Sequence, residues 1–295
     1  MSQKPATRVA VLGASSFVAR NFLESADSDR LRLSSYSREQ AAAVPLTELL
    51  QADLILYCLA AGVQSGLVSS AAELLQVNAL APMQLAVQLE QGGFHGTLVT
   101  FGSYFELGNR TEREPASELE VLRASGRVGD YGASKRVLTR FMHEFHRRAG
   151  FRCIHLLLPN VYGRGENQDR LIPYLLDRCR QGLPISLTSG AQIRQYLHVR
   201  DLVTLLVSLC GQERPPAGLF CVAPPEVLRI SELADLCLEV FQGAAPQVDT
   251  SRQRSDSEMP YLALDADLAQ RDLGFRATID LREGIVDYLE GRVKC

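Results

Sequence analysis

Short apolar runs alternate with helical stretches through the first half of this chain, and that alternation constrains its fold more than any other feature. RVAVLG (8–13) reads as a strand stopped by glycine, and FVARNFLES (17–25) as the helix after it. RLRLSSYS (30–37), DLILYCLAAG (53–62), GTLVTFGS (96–103) and FRCIHLLLPNVYG (151–163) repeat the strand signal. Between them lie AAELLQVNALAPMQLAVQLEQ (71–91) and the stretch from Tyr131, both with helical character. Pro82 marks a start or kink in the first of these, because proline lacks the amide the helix ladder needs. The densest runs do not alternate apolar with polar. Such strands belong to parallel sheets covered on both faces. The expected fold is α/β: a doubly wound parallel sheet with a smaller C-terminal lobe.

The second half is less regular. IPYLLDRCRQG (172–182) reads as a helix and PISLTSG (184–190) as strand-like. QIRQYLHVRDLVTLLVSLC (192–210) reads as a strand returning into a helix, which returns the chain to the first domain. GLFCVAPP (218–225), a helix opening at Ser231 and a helix near the end suggest a mixed lobe. Residues 108–128 and 250–259 read as polar loops. The expected division is 1–162 plus about 196–220 for a dinucleotide-binding domain. The remainder, about 163–195 plus 221–295, forms the substrate lobe.

With 295 residues, 46% of them hydrophobic, the chain can bury a core without metal or disulfide support. Net charge is −3 and no basic tract stands out, which argues against a nucleic-acid partner. The seven cysteines form no CxxC pair and several sit in apolar runs, as in a reducing cytoplasm. None of the five histidines is paired at ligand spacing, so no metal site is expected. The first residues run straight into a strand with no apolar leader, and no run is long enough to span a membrane.

The turn after the first strand, GASSFVA (13–19), is where a dinucleotide pyrophosphate would meet a helix N-terminus. Of the usual spaced glycines only Gly13 remains; Ser16 and Ala19 stand in place of the other two. Gly13, Ser15, Ser16, Phe17 and Val18 are the candidate contacts. Ser16 narrows the approach but offers a hydroxyl, and a plain strand–turn–helix is the alternative reading of this turn. At the end of the second strand, where an NAD site places a carboxylate for the ribose, the chain reads Tyr36-Ser37-Arg38. Serine plus guanidinium suits a ribose 2′-phosphate, so NADP(H) is favoured, with NAD as the alternative.

Tyr131 and Lys135 lie four residues apart on a helical stretch and so share a face, about 6 Å apart along the axis. A lysine there biases a phenol toward acid–base chemistry. These features, with CLAAG (58–62), the helix carrying Asn78, GSYFELG (102–108), PNVYG (159–163) and RQYLHVRD (194–201), occur in a specific order. In that order the chain resembles the extended short-chain dehydrogenase/reductases, the NAD(P)-dependent group of nucleotide-sugar epimerases, dehydratases and reductases. The resemblance covers essentially the whole chain and implies a Rossmann fold. It implies that Tyr131 is the proton donor and that Lys135 holds the nicotinamide ribose and lowers the phenol pKa. Ser103 would orient the reacting oxygen, and Asn78 would support a water relay to the lysine. Leu59, Ala60, Ala61, Pro159 and Val161 would line the cofactor, and Tyr104, Phe105, Asn160 and Arg194 the substrate. A nucleoside diphosphate sugar is the implied substrate. A homodimer through helices near 83–94 and 131–149 is the implied assembly.

In the family's 4,6-dehydratases the residue matching Ser103 is followed by Asp and Glu. Here Tyr104 and Phe105 follow, and Glu106 is displaced by one position. Dehydration is therefore disfavoured, as is decarboxylation. The expected activity is NADPH-dependent reduction of the 4-keto group of a nucleotide-linked deoxyhexose, since an apolar aromatic pair suits a sugar with a 6-methyl group. Two alternatives stay open: a nucleotide-hexose 4-epimerase with tightly bound NAD, and a cofactor-binding relative without catalysis.

Overall fold

A computed structural model describes residues 6–26, 29–62, 69–241, 247–250 and 258–290. Strand β1 (Thr7–Leu12) leads through the Gly13 turn into α1 (Phe17–Ser25) and β2 (Leu31–Tyr36). After the short helices α2 (Arg38–Ala43) and α3 (Leu46–Leu49) comes β3 (Leu54–Tyr57). Helices α4 (Ala71–Leu75) and α5 (Ala81–Gln91) follow, then β4 (Thr97–Ser103), α6 (Glu118–Arg123), α7 (Asp130–Phe145) and β5 (Arg152–Leu158). A six-stranded sheet takes the order β10-β5-β4-β3-β1-β2, with β10 (Gly218–Cys221) at its far edge. All its pairings are parallel. From β1 the chain goes outward to β2, then crosses back to β3 on the other side. A crevice opens at the strand ends where the winding reverses.

Both faces of the sheet are covered, and the strand period shows how. Val9 and Val11 enter one core with Phe22, Leu56, Ile154 and Leu206. Their neighbours Ala10 and Leu12 enter the opposite core with Ile55, Leu98, Leu138 and Met142. Side chains alternate across a strand, so both of its sides must be apolar when both faces carry helices.

Pro82 acts as expected, with a consequence for the helix before it. It cannot donate to the carbonyl one turn back, and residues Gln76–Leu80 widen into a π-turn joining α4 to α5. The expected loop 108–128 contains α6, whose start is set by a Ser117–Glu120 capping box.

The smaller lobe gathers α8 (Leu171–Gln181), α10 (Ile230–Phe241) and α12 (Leu281–Glu290) around Leu175, Leu176, Leu233 and Ile285. Short strands connect it: β6 (Asn160–Tyr162) lies beside β9 (Tyr196–His198), β7 (Ile185–Ser186) beside β12 (Val248–Asp249), and β8 (Ile193–Arg194) beside β11 (Leu228–Arg229). Helix α9 (Val199–Cys210) returns to the sheet and packs on α1. Helix α11 (Asp267–Leu273) does so too, placing Ala269 and Leu273 in the sheet's core. The C-terminal stretch is thus shared between the two lobes rather than belonging wholly to the second. Most of the expected loop 250–259 lies outside the described residues. Among the described residues six cysteines are free and buried. Among the described residues no helix is long and apolar enough to cross a membrane, and no cluster of metal ligands forms.

Candidate active site

The crevice begins at Gly13. Its φ of +92° is a conformation side chains disfavour, and a Cβ there would stand 2.9 Å from the Leu59 amide nitrogen. Glycine alone lets the β1–α1 turn lie this close to the end of β3. Ser16 caps α1 by accepting from the Ala19 amide at 3.3 Å. Ser15 is exposed at the turn, and Phe17 and Val18 are partly buried against the sheet's core. Ser37 caps α2 and accepts from the Gln40 amide at 3.3 Å. Arg38 donates to the Ala60 carbonyl at 2.8 Å and lies 3.6 Å from Glu73. The ends of β2 and β3 therefore bring Ser37, Arg38, Leu59, Ala60 and Ala61 to the same side of the crevice.

Asn78 sits in the π-turn, almost wholly buried. Its carbonyl accepts from the Ala61 amide at 2.9 Å; its amide donates to the Ala61 carbonyl at 3.0 Å and to Ser134 Oγ at 3.1 Å. Both ends of this side chain are thus committed to the loop after β3 and to α7. None of these bonds reaches Lys135.

Ser103 ends β4, and Tyr131 opens the facing helix α7. The serine hydroxyl lies beside the phenol and favours its ionised form. It also accepts from the Phe105 amide at 3.3 Å. Lys135, one turn along α7, is 4% exposed and donates to the Phe101 carbonyl at 2.9 Å. Its Nζ lies 6.0 Å from the centre of the Tyr131 ring. Phe105 presents its ring edge-on to Tyr131 at 6.2 Å. Gly62, with φ of +75°, brings the loop after β3 to the same ring.

Burial pushes the Tyr131 phenol up to about 12; the Ser103 hydroxyl opposes this and the charge of Glu106 adds to it. The lysine is turned onto a backbone carbonyl, and burial dominates. Lys135 itself is pushed down to about 8 by burial, against the favourable charge of Glu106. Burial thus favours the neutral phenol, the form a proton donor needs.

Two of the expected substrate contacts are buried. Tyr104 is 0% exposed and packs in the core with Leu107, Val121 and Leu262. The 3₁₀ turn over Tyr104–Leu107 sends successive side chains in different directions, so only Phe105 faces the crevice. Arg194 is 2% exposed, and one guanidinium nitrogen donates to the Ile193 and Met259 carbonyls, each at 2.8 Å. It braces the lobe. Beside it a cavity of about 420 Å³ is lined by Arg113, Gln192, Arg229, Ser231 and Tyr261, but not by Arg194. Sequence reading passed over Arg113, one of several charges in Arg110–Glu114, and Arg229, a single charge among Val227, Leu228 and Ile230, because neither belongs to a recognisable motif. Asn160, Pro159 and Val161 leave β5 for β6; Asn160 is partly exposed and the other two are buried.

The model of the NAD dependent epimerase/dehydratase family matches residues 9–218. Over 187 residues the chain is 28% identical to a dTDP-glucose 4,6-dehydratase of Streptomyces griseus, a match covering 63% of this chain and 53% of that protein. The chain thus spans about half the length of that curated relative. It is also similar in fold to MoeE5, solved in complex with UDP-glucose and NAD, with a TM-score of 0.81 and 21% identity over 97% of this chain and 99% of that one. A UDP-glucose 4-epimerase of Thermotoga maritima, solved with UDP-glucose, gives a TM-score of 0.78 and 17% identity over 98% of this chain and 99% of that one.

Proposed function

The chain belongs to the NAD dependent epimerase/dehydratase family, and from that premise we propose that it uses NADPH to reduce the 4-keto group of a nucleotide-linked deoxyhexose. The observation that carries this reading is the meeting of Ser103 at the end of β4 with Tyr131 and Lys135 on one face of α7, Nζ 6.0 Å from the Tyr131 ring, with no carboxylate at positions 104 and 105.

The crevice suits a dinucleotide. Gly13 allows the tight turn, Ala14, Ser15 and Ser16 keep the start of α1 small, and the helix N-terminus favours a pyrophosphate. Ser37 and Arg38 would take a ribose 2′-phosphate, with Leu59, Ala60 and Ala61 against the adenosine side. When bound, a reduced nicotinamide would supply the hydride for the carbonyl carbon. Tyr131 gives its proton to the carbonyl oxygen, which becomes the hydroxyl of the product. Ser103 hydrogen-bonds that oxygen and fixes its direction. Lys135 would hold the nicotinamide ribose and offset the charge left when the phenol has given up its proton. Phe105 closes the sugar side with an apolar ring and excludes water. Arg113 and Arg229 in the cavity would bind the diphosphate of a nucleoside diphosphate sugar, since guanidinium pairs well with phosphate oxygens. A homodimer through α5 and α7, whose Val137 is exposed, and a cytoplasmic setting complete this reading.

One observation favours a second reading, 4-epimerisation with retained NAD. Arg38 is already engaged by Glu73 and the Ala60 carbonyl, which weakens its claim on a 2′-phosphate. The assembled Ser103–Tyr131–Lys135 group speaks against a relative without catalysis. A panel of nucleoside diphosphate 4-keto-6-deoxyhexoses with NADPH separates these readings. Ketoreduction gives NADPH oxidation matched by a single alcohol product. Nicotinamide absorbance that survives purification, with sugar interconversion and no net oxidation, would replace it with epimerisation. Neither signal leaves a binding protein.

A further inference from the structure

Behind Lys135 lies a carboxyl group that the reaction above does not use. Glu106 is 0% exposed. One oxygen accepts from the Ser103 amide at 2.7 Å, while the other is buried with no hydrogen bond of good geometry. Gly102 makes room for it: a Cβ there would stand 2.8 Å from the carboxyl and 2.7 Å from His155 Nε2. His155 bridges Thr100 at 2.7 Å and Thr139 at 2.8 Å through its two ring nitrogens. Thr139 is one turn past Lys135 on the same face of α7, and its hydroxyl steadies the ionised carboxyl. The line Thr100–His155–Thr139–Glu106 therefore runs beneath the strand end that carries Ser103.

Capping a short turn needs only an acceptor oxygen, which a glutamine also offers. A carboxyl at this depth has a further use, because a charge buried there requires a compensating one. The groups facing Glu106 are Tyr131, Lys135 and Arg136 of α7, His155 of β5 and Cys221 of β10. Burial raises Glu106 to about 7 and lowers Lys135 to about 8, and each charge favours ionisation of the other. His155 and Cys221 are held neutral by burial.

We propose that Glu106 is a positioning residue of this site: one oxygen fixes the backbone of Ser103, and the charge of the same buried carboxyl keeps Lys135 an ammonium. The proposal rests on the reading of Tyr131 and Lys135 as the reacting pair. It gives Glu106 a role distinct from the proton-shuttling acids of dehydratases, because the side chain turns inward beneath the strand and away from the sugar side.

The chain contains only three lysines, Lys4, Lys135 and Lys294. Full-length protein labelled with ¹⁵N-lysine therefore shows three side-chain signals, and Lys135→Met assigns the central one. In Glu106→Gln the acceptor for the Ser103 amide remains but the charge is gone, so the Lys135 titration midpoint should fall by about one pH unit. Thr139→Val, a second variant that leaves the carboxyl in place, should move it the same way by a smaller amount. A midpoint within about 0.2 pH unit of the parent in Glu106→Gln overturns the proposal, as does an unmoved Thr139→Val if Glu106→Gln does not fold. The titration needs no substrate. A shifted midpoint without ketosugar turnover would keep the charge pairing and sink the catalytic reading, and turnover with an unmoved midpoint would do the reverse.

Discussion

Asn78 and Ala61 hold each other by two hydrogen bonds: the Ala61 amide donates to the Asn78 carbonyl at 2.9 Å, and the Asn78 amide donates to the Ala61 carbonyl at 3.0 Å. The loop after β3 is thereby fastened to the π-turn that precedes α5. A side chain that extends a backbone ladder in this way is costly to remove, because it leaves two buried polar groups without partners. Asn78→Ala should lower unfolding free energy by about 2–4 kcal/mol, read by urea denaturation. A loss below about 0.5 kcal/mol would show that water or a shifted loop replaces both bonds.

Tyr131→Phe keeps the ring that Phe105 packs against at 6.2 Å and removes only the phenol hydroxyl. Turnover should fall by about 10²–10⁴-fold while nicotinamide binding, followed by fluorescence, stays near the parent value. Full turnover by this variant would end the assignment of the proton donor.

Cofactor choice should depend on Arg38, which reaches from the start of α2 to the Ala60 carbonyl. In Arg38→Ala the ratio of NADP to NAD affinity should drop about tenfold or more, with NAD binding little changed. Equal losses for both cofactors would mean that the guanidinium serves only to join β2 to β3 through Ala60 and Glu73.

His155 gives stability a pH dependence. Burial, then the charge of Lys135, depress its folded-state pKa from 6.5 to about 3. The unfolded chain binds the proton more readily, so this contribution is complete above pH 6.5 and declines as pH falls toward 3. Glu106 has the opposite slope, since its raised value favours the folded state below 4.5 and that advantage is gone above about 7. The comparison must therefore be made against a variant. The stability difference between the parent and His155→Gln should shrink by up to about 1.4 kcal/mol per pH unit as pH falls from 6.5 to 4.5. A difference constant over that window would place the His155 pKa near that of a free imidazole.

Much of this protein could be read from local sequence. The period of Val9–Leu12 and the apolar run Leu54–Tyr57 specify strands covered on both faces, because each residue's side is fixed by its place in the strand. The spacing of Tyr131 and Lys135 placed both on one helix face for the same reason. Local period does not determine which way a turn sends its side chains, or what a long-range neighbour does to a charge. The 3₁₀ turn after Ser103 buries Tyr104 and aims Glu106 inward, and this follows from packing against α7 and β5, far off in sequence. Arg194 likewise became a brace only once Met259 met it across the lobe. Burial likewise bears on the Tyr131 phenol only in the folded chain, because desolvation is set by everything that surrounds a group.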